Sequence, residues 1–175
     1  MTGGIAAYKT AVLVSCLVQA GAGVSVVMTE AATQFVGPLT FQTLTSRPVC
    51  IDQFAAPEVY HTDHIALADR AEIVVVAPAT ANIIGKLAHG IADDLLSTLL
   101  LAVDAPVLMA PAMNVRMWNH PAVQANVADL GAWGVQFVGP ATGRLACGTS
   151  GKGRMAEPDD IFAEIVKIMG GRAKA

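Results

Sequence analysis

Long apolar runs, a surplus of positive charge and a cysteine framework are all missing from this chain. No apolar stretch reaches the roughly 18–20 residues of a bilayer-spanning helix, so no membrane partner is expected. The start, Met1-Thr2-Gly3-Gly4, has neither the basic nor the apolar region of a signal peptide. The net charge of −3 leaves no basic footprint, which argues against nucleic acid as a partner. Three cysteines, Cys16, Cys50 and Cys147, are odd in number and far apart. That pattern suits reduced thiols in the cytoplasm and not a disulfide scaffold. Charge itself is scarce, at 14% of residues against 54% apolar, in a chain of 175 that suits one domain over 1–175. Such a balance calls for a fully covered parallel sheet, a sizeable subunit interface, or both. No linker, repeat or low-complexity segment interrupts the chain.

Hydrophobic periodicity alternates between two periods. Helices are expected over 5–20, 31–35, 39–44, 64–70, 81–88, 94–102, 121–130 and 158–169. Short apolar runs between breakers predict strands over 24–28, 49–54, 72–77, 106–110 and 135–138. The run Ile73-Val74-Val75-Val76 reads as the most deeply buried strand. Alternation of this kind makes an open parallel α/β sheet covered on both faces, with ligands beyond the carboxyl ends of the strands. Two motifs fall there: Pro78-Ala79-Thr80-Ala81-Asn82 after the strand ending at Ala77, and Pro111-Ala112-Met113-Asn114 after the strand ending at Ala110. A domain of this type normally begins with a strand, and only Met1 and Thr2 precede the first glycine turn, so a truncated first strand is expected.

Each polar motif has a plain structural reading beside a functional one. Gly3-Gly4 ahead of a helix offers backbone N–H groups to a phosphate, or is a turn and nothing more. Thr80 supplies a hydroxyl to a ligand or caps its helix. Asn114 brings a donor and an acceptor to a carboxylate or amide, with Met117 and Trp118 as pocket walls, or it makes an Asx turn. His61, Asp63 and His64 lack a second ligand cluster, so no metal is expected; His64 alone has the titration range of a general base. Asp93-Asp94 reads as a helix start rather than a carboxylate pair. Cys147 lies in a loop carrying Gly143, Gly148, Gly151 and Gly153, flanked by Arg144, Lys152 and Arg154. Those cations favour its thiolate, and the glycines read as a mobile flap. Cys16 and Cys50 suit inert core positions.

In chain order, the Gly3-Gly4-Ile5-Ala6-Ala7-Tyr8-Lys9 start, the His64-Ile65 pair, the two Pro-Ala motifs with Met117-Trp118, and the Cys147 loop resemble the flavin-dependent cysteine decarboxylases. The resemblance spans residues 3–157. It implies a Rossmann-like (flavodoxin-like) three-layer fold binding FMN, assembled as a homotrimer or homododecamer with sites between subunits. Gly3, Gly4, Ile5, Thr29, Glu30, Ala31, Thr80, Ala81, Asn82, Ile83 and Ala112 match the family's FMN-contacting positions. His64 matches its catalytic histidine, Asn114 its substrate-carboxylate residue, and Cys147 its proton-donating cysteine. Arg144, Ala146 and Met155 match substrate-contacting positions, and Met117 stands beside them.

The implied reaction is redox-neutral and belongs to coenzyme A biosynthesis. The cysteine moiety of 4′-phosphopantothenoylcysteine is oxidised to a thioaldehyde with His64 assisting. Carbon dioxide then leaves because the thioaldehyde stabilises the carbanion. The resulting enethiolate takes the hydride back from reduced FMN and is protonated by Cys147, giving 4′-phosphopantetheine. One alternative is a peptidyl-cysteine decarboxylase of peptide-antibiotic synthesis, which stops at the enethiol and has no need of Cys147. The other is a non-catalytic FMN-binding regulatory relative, against which His64, Asn114 and Cys147 argue together. The chain ends at Ala175, and no synthetase domain is expected within it.

Overall fold

The computed structural model describes residues 1–54, 63–144, 148 and 150–172. His61, Ala146 and Cys147 lie outside the described residues. Helix α1 (Ala7–Gln19) starts two residues later than expected, because residues 3–6 form the turn that feeds it: the Ala7 N–H donates to the Gly4 carbonyl at 2.9 Å. Gly21, with φ of 87°, ends it in the left-handed conformation that glycine adopts without strain. Strand β1 (Val26–Val27) leads to helix α2 (Glu30–Thr33), capped by the Thr29 hydroxyl, and helix α3 (Pro38–Thr45), which opens on proline. Strand β2 (Val49–Cys50) and helix α4 (Asp63–Arg70) follow.

Strand β3 (Val74–Ala79) feeds helix α5 (Ala81–Ala88), and helix α6 (Leu95–Ala102) begins in a reciprocal capping box between Asp94 and Ser97. Strand β4 (Val107–Pro111), the single-turn helix α7 (Val115–Trp118) and helix α8 (Pro121–Ala132) come next. Strand β5 (Gln136–Phe137), a hairpin of β6 (Ala141–Arg144) with β7 (Ser150–Arg154), and helix α9 (Pro158–Arg172) complete the chain.

Strands β3, β4 and β5 pair in parallel in that order, and β1 pairs in parallel with β2. Met1 and Thr2 stand in the gap between the two groups. The Met1 amine donates to the Val27 carbonyl, and the Met1 carbonyl accepts from the Thr29 N–H at 3.1 Å. On the other side the Thr2 hydroxyl donates to the Pro78 carbonyl at 2.7 Å and accepts from the Thr80 N–H at 3.2 Å. Two residues thus complete the order β2, β1, Met1-Thr2, β3, β4, β5.

Side chains alternate across the sheet with the period of a strand. Val76 and Met109 are buried with α4, α5, α6 and α8 through Ala68, Ile84, Leu99 and Leu130. Ala77, Leu108 and Ala110 face the opposite way, toward Leu13 of α1 and Ile161 and Ile165 of α9. A third cluster joins α1 to β1 and α3 through Val14, Met28 and Phe41. Both faces of the sheet are therefore covered, in a three-layer α/β arrangement of flavodoxin type.

Two expectations need correction. Pro78 and Pro111 lie within β3 and β4 instead of after them. Proline is tolerated there because the ladder is irregular between Val76 and Ala79, and the Ala112 N–H restores pairing by donating to Ala79 at 3.0 Å. The strands over 24–28 and 49–54 shrink to two residues each, since only Val26–Val27 and Val49–Cys50 find register partners. The stretch read as a glycine loop carries two paired strands, Ala141–Arg144 and Ser150–Arg154, in an antiparallel hairpin.

Candidate active-site cleft

A cleft of about 790 Å³ opens at the carboxyl ends of β3 and β4. Its lining comes from four places. The turn into α1 gives Gly3, Gly4, Ile5 and Ala6, and the first turn of α1 gives Tyr8 and Lys9. The start of α5 gives Thr80 and Ala81. The stretch from β4 into α7 gives Ala112, Met113, Asn114 and Met117. The hairpin and the residue after it give Arg144, Gly153, Arg154 and Met155. A smaller hollow of about 480 Å³, with Asp104, Pro106 and Gln136 in its wall, lies at the opposite, amino ends of β4 and β5.

The two glycines of the entry turn have different reasons to be glycine. A Cβ on Gly3 would come within 2.7 Å of the Ala31 backbone, so α2 crowds that position. A Cβ on Gly4 would meet only the Thr80 methyl, at 3.9 Å, which leaves its backbone open toward the cleft. Thr80 stands at the N-cap of α5 without making a side-chain cap bond. Capping therefore does not account for it, and the positive end of the α5 dipole faces the cleft without a hydroxyl across it.

Asn114 takes up the Asx-turn reading in full. Its Oδ1 accepts from the Arg116 N–H at 2.8 Å and caps α7. The same side chain lines the cleft, beside half-exposed Met117. Trp118 does not join that wall. It is buried, with the Lys152 ammonium 5.7 Å from its ring centroid, so it serves the docking of the hairpin.

The hairpin is held by its own glycines. The Met113 N–H donates to the Gly153 carbonyl at 2.9 Å. A Cβ on Gly153 would lie 2.4 Å from the Met113 carbonyl oxygen, and one on Gly151 would lie 2.8 Å from a Val115 methyl. These glycines permit close backbone approach.

Lys9 lines the cleft, and the sequence pattern alone assigns it no role. Its side chain is only 7% exposed, and its Nζ donates to Glu157 Oε1 at 2.9 Å and to the Met155 carbonyl at 3.3 Å. Those acceptors offset the penalty of taking an ammonium out of water. Arg154 Nη2 reaches the same Glu157 oxygen at 2.6 Å. The Lys9 hydrogen bond, aided by the nearby Arg154 charge, holds the Glu157 carboxyl below its ordinary range. Only the adjacency Arg154-Met155-x-Glu157 is visible locally; its partner is 148 residues away.

Other expected contacts fall elsewhere. Thr29 caps α2, accepting from the Ala32 N–H at 3.3 Å, and Glu30 and Ala31 are exposed on that helix next to Gly3. Asn82 is exposed and the Ile83 side chain is buried in the core, so Ile83 has only backbone to offer a ligand. Met155 is 1% exposed and packs with Leu13 and Ile161 at the floor of the cleft. His64, in the first turn of α4, is half-buried and is not among the described residues lining the cleft. Helix α4, which carries His64, packs on α6. Among the described residues no group of acidic, histidine or cysteine side chains is arranged to hold a metal, and no helix is long and apolar enough to cross a membrane.

A covered parallel sheet with an open glycine turn and a cation-lined cleft at its carboxyl edge is the architecture of an α/β nucleotide-cofactor protein. The chain matches the Flavoprotein family over residues 1–170 and belongs to that family. It is 55% identical over 161 residues to the coenzyme A biosynthesis bifunctional protein CoaBC of Bacillus subtilis, a match spanning 92% of this chain and 40% of that protein. The chain thus spans about two fifths of the length of the curated relatives it matches. Among solved structures, a cysteine-to-serine mutant of PPC decarboxylase complexed with pantothenoylaminoethenethiol is 32% identical with a TM-score of 0.87, over 97% of this chain and 94% of that one. The FMN-dependent cysteine decarboxylase SpaF is 31% identical with a TM-score of 0.81, over 98% and 93%.

Proposed function

We propose that this chain is an FMN-dependent decarboxylase that converts 4′-phosphopantothenoylcysteine to 4′-phosphopantetheine in coenzyme A biosynthesis, acting in the cytoplasm as a homotrimer or a multiple of trimers. The observation that carries this reading is the charge and shape of the cleft. Lys9, Arg144 and Arg154 line it, and Glu157 is the acid bonded to that wall. The surplus of positive charge suits ligands with phosphate and carboxylate groups. Ile5, Tyr8, Met113 and Met117 supply apolar surface for a flat ring.

The residues present fit FMN. Gly4 leaves its backbone open, α5 points its positive end inward, and the cleft is of cofactor size. When bound, the flavin accepts two electrons and gives them back. The chain's own groups do the rest. Asn114 spends Oδ1 on the α7 cap and turns to its Nδ2 hydrogens to hold the substrate carboxylate. Arg144, at the end of β6, draws the anionic substrate into the cleft, and Cys147 donates the final proton. His64 takes the thiol proton, and since it lies off its own chain's cleft, it serves the site of a neighbouring copy. Exposed Val12 on α1, beside Tyr8 and the Ile5 turn at the cleft's edge, supplies apolar surface for that neighbour.

The test is incubation of the FMN-loaded protein with 4′-phosphopantothenoylcysteine, following products by mass. The proposal predicts loss of about 44 mass units, for CO2 alone. Loss of about 46 would identify the oxidative peptide-type reaction, and no loss would contradict decarboxylation.

A further inference from the structure

We infer that Glu157 is a positioning residue for the reaction proposed above, on which the inference rests: it fastens the base of the hairpin to α1 and so sets where Arg144 stands at the cleft. One oxygen, Oε1, accepts from Lys9 Nζ at 2.9 Å and from Arg154 Nη2 at 2.6 Å. Lys9 belongs to α1, Arg154 to β7, and Glu157 to the turn that opens α9, where its carbonyl accepts from the Ile161 N–H at 3.1 Å. Three elements thus converge on a single carboxylate.

The remaining hairpin contacts explain why this tie matters. Gly153 and Gly151 dock β7 on residues 113–115, and Lys152 stacks over Trp118. These contacts fix the hairpin against α7. The Glu157 pair fixes it against α1, another wall of the cleft, with the Lys9 bond to the Met155 carbonyl as its companion. With one side fastened, the hairpin can pivot about α7; with both, the position of Arg144 is set. Glu157 is not among the described residues lining the cleft, so it acts through Lys9 and Arg154.

The experiment compares Glu157→Ala with Glu157→Gln in the FMN-loaded full chain. Glutamine retains an acceptor oxygen for both donors; alanine retains none. Amide hydrogen exchange without substrate is read by mass spectrometry, and kcat and KM are read with 4′-phosphopantothenoylcysteine. In Glu157→Ala we expect exchange over 141–144 and 150–154 to rise at least about tenfold with β3 and β4 unchanged. We expect kcat to fall at least about tenfold, KM to move less than about threefold, and Glu157→Gln to recover most of both readouts. Unchanged hairpin exchange in Glu157→Ala overturns the inference. So does equal damage from glutamine, which makes charge the operative property, or a uniform rise in exchange across β3 and β4, which makes the role purely structural. If the unsubstituted protein releases no CO2, the proposed reaction fails on its own, and the exchange comparison still decides whether Glu157 holds the hairpin.

Discussion

The Met113 N–H donates to the Gly153 carbonyl at 2.9 Å, and this bond ties strand β7 to the segment that carries Asn114. The hairpin and the Pro-Ala-Met-Asn motif are in that sense one unit. A Cβ on Gly153 would lie 2.4 Å from the Met113 carbonyl oxygen, whereas one on Gly143 would meet only the Arg154 side chain, at 3.4 Å. Gly153→Ala is therefore expected to destabilise the protein by about 1–3 kcal/mol through overpacking against backbone. Gly143→Ala should be much milder, because a flexible side chain can give way. Thermal unfolding of the two variants checks this; equal effects would contradict the docking account.

The hydroxyl of Thr2 is buried and links the Pro78 carbonyl to the Thr80 N–H. Thr2→Val preserves volume but leaves both backbone groups without that partner. A loss of about 1–3 kcal/mol is expected, the range for orphaned buried polar groups. Thr43→Val on exposed α3, whose hydroxyl donates to the Leu39 carbonyl, is the control and should be near neutral. Denaturant midpoints of the pair give the comparison.

Lys86 bonds both Asp93 and Asp94 at the start of α6. Burial pushes the Asp94 carboxyl up, but the Lys86 and Ser97 hydrogen bonds outweigh it and hold the group below its ordinary value. A depressed carboxylate contributes stability that is present above its unfolded pKa, about 4, and is lost as pH falls through the lower folded value. Lys86→Met should therefore be less stable than the parent at pH 7, with the gap closing as the pH drops below about 4. A gap that stays constant across acid titration would show that the pair contributes through packing alone.

Cys147→Ser tests the last step of the proposed reaction. The variant is expected to release CO2 and to accumulate the product about two mass units lighter than 4′-phosphopantetheine, because reduction and protonation are blocked. Normal product from this variant would remove Cys147 from the mechanism.

Much of this architecture is written in local pattern. The Val74–Val76 run can be buried on both faces only inside a covered sheet, and Asp94 three residues before Ser97 announces the start of α6. Thr80 and Asn114 were legible as helix-start residues, but not that Thr80 would leave its cap unmade while Asn114 made one. Gly151 and Gly153 are ambiguous for a physical reason: a glycine that frees the backbone and a glycine that admits a neighbour look alike in sequence, and the neighbours these two admit, Met113 and Val115, are some forty residues away. The Lys9–Glu157 pair spans almost the whole chain and leaves no local trace. His64 is readable as a residue type, but the proposal that it serves a neighbouring copy's cleft depends on packing between copies, which local pattern does not record.

That dependence gives the most direct test of the central claim, that each site takes Asn114 from one chain and His64 from another. His64→Asn and Asn114→Asp are each expected to be inactive alone; aspartate keeps the α7 cap and replaces the amide donor with a repelling carboxylate. Co-expressed with different tags and purified as mixed oligomers, the two should recover roughly a third of wild-type turnover as trimers, since every trimer holding both chains keeps about one site in three with both native residues, and roughly a quarter in a larger multiple of trimers. Mixed oligomers that form but show no activity would contradict the shared site.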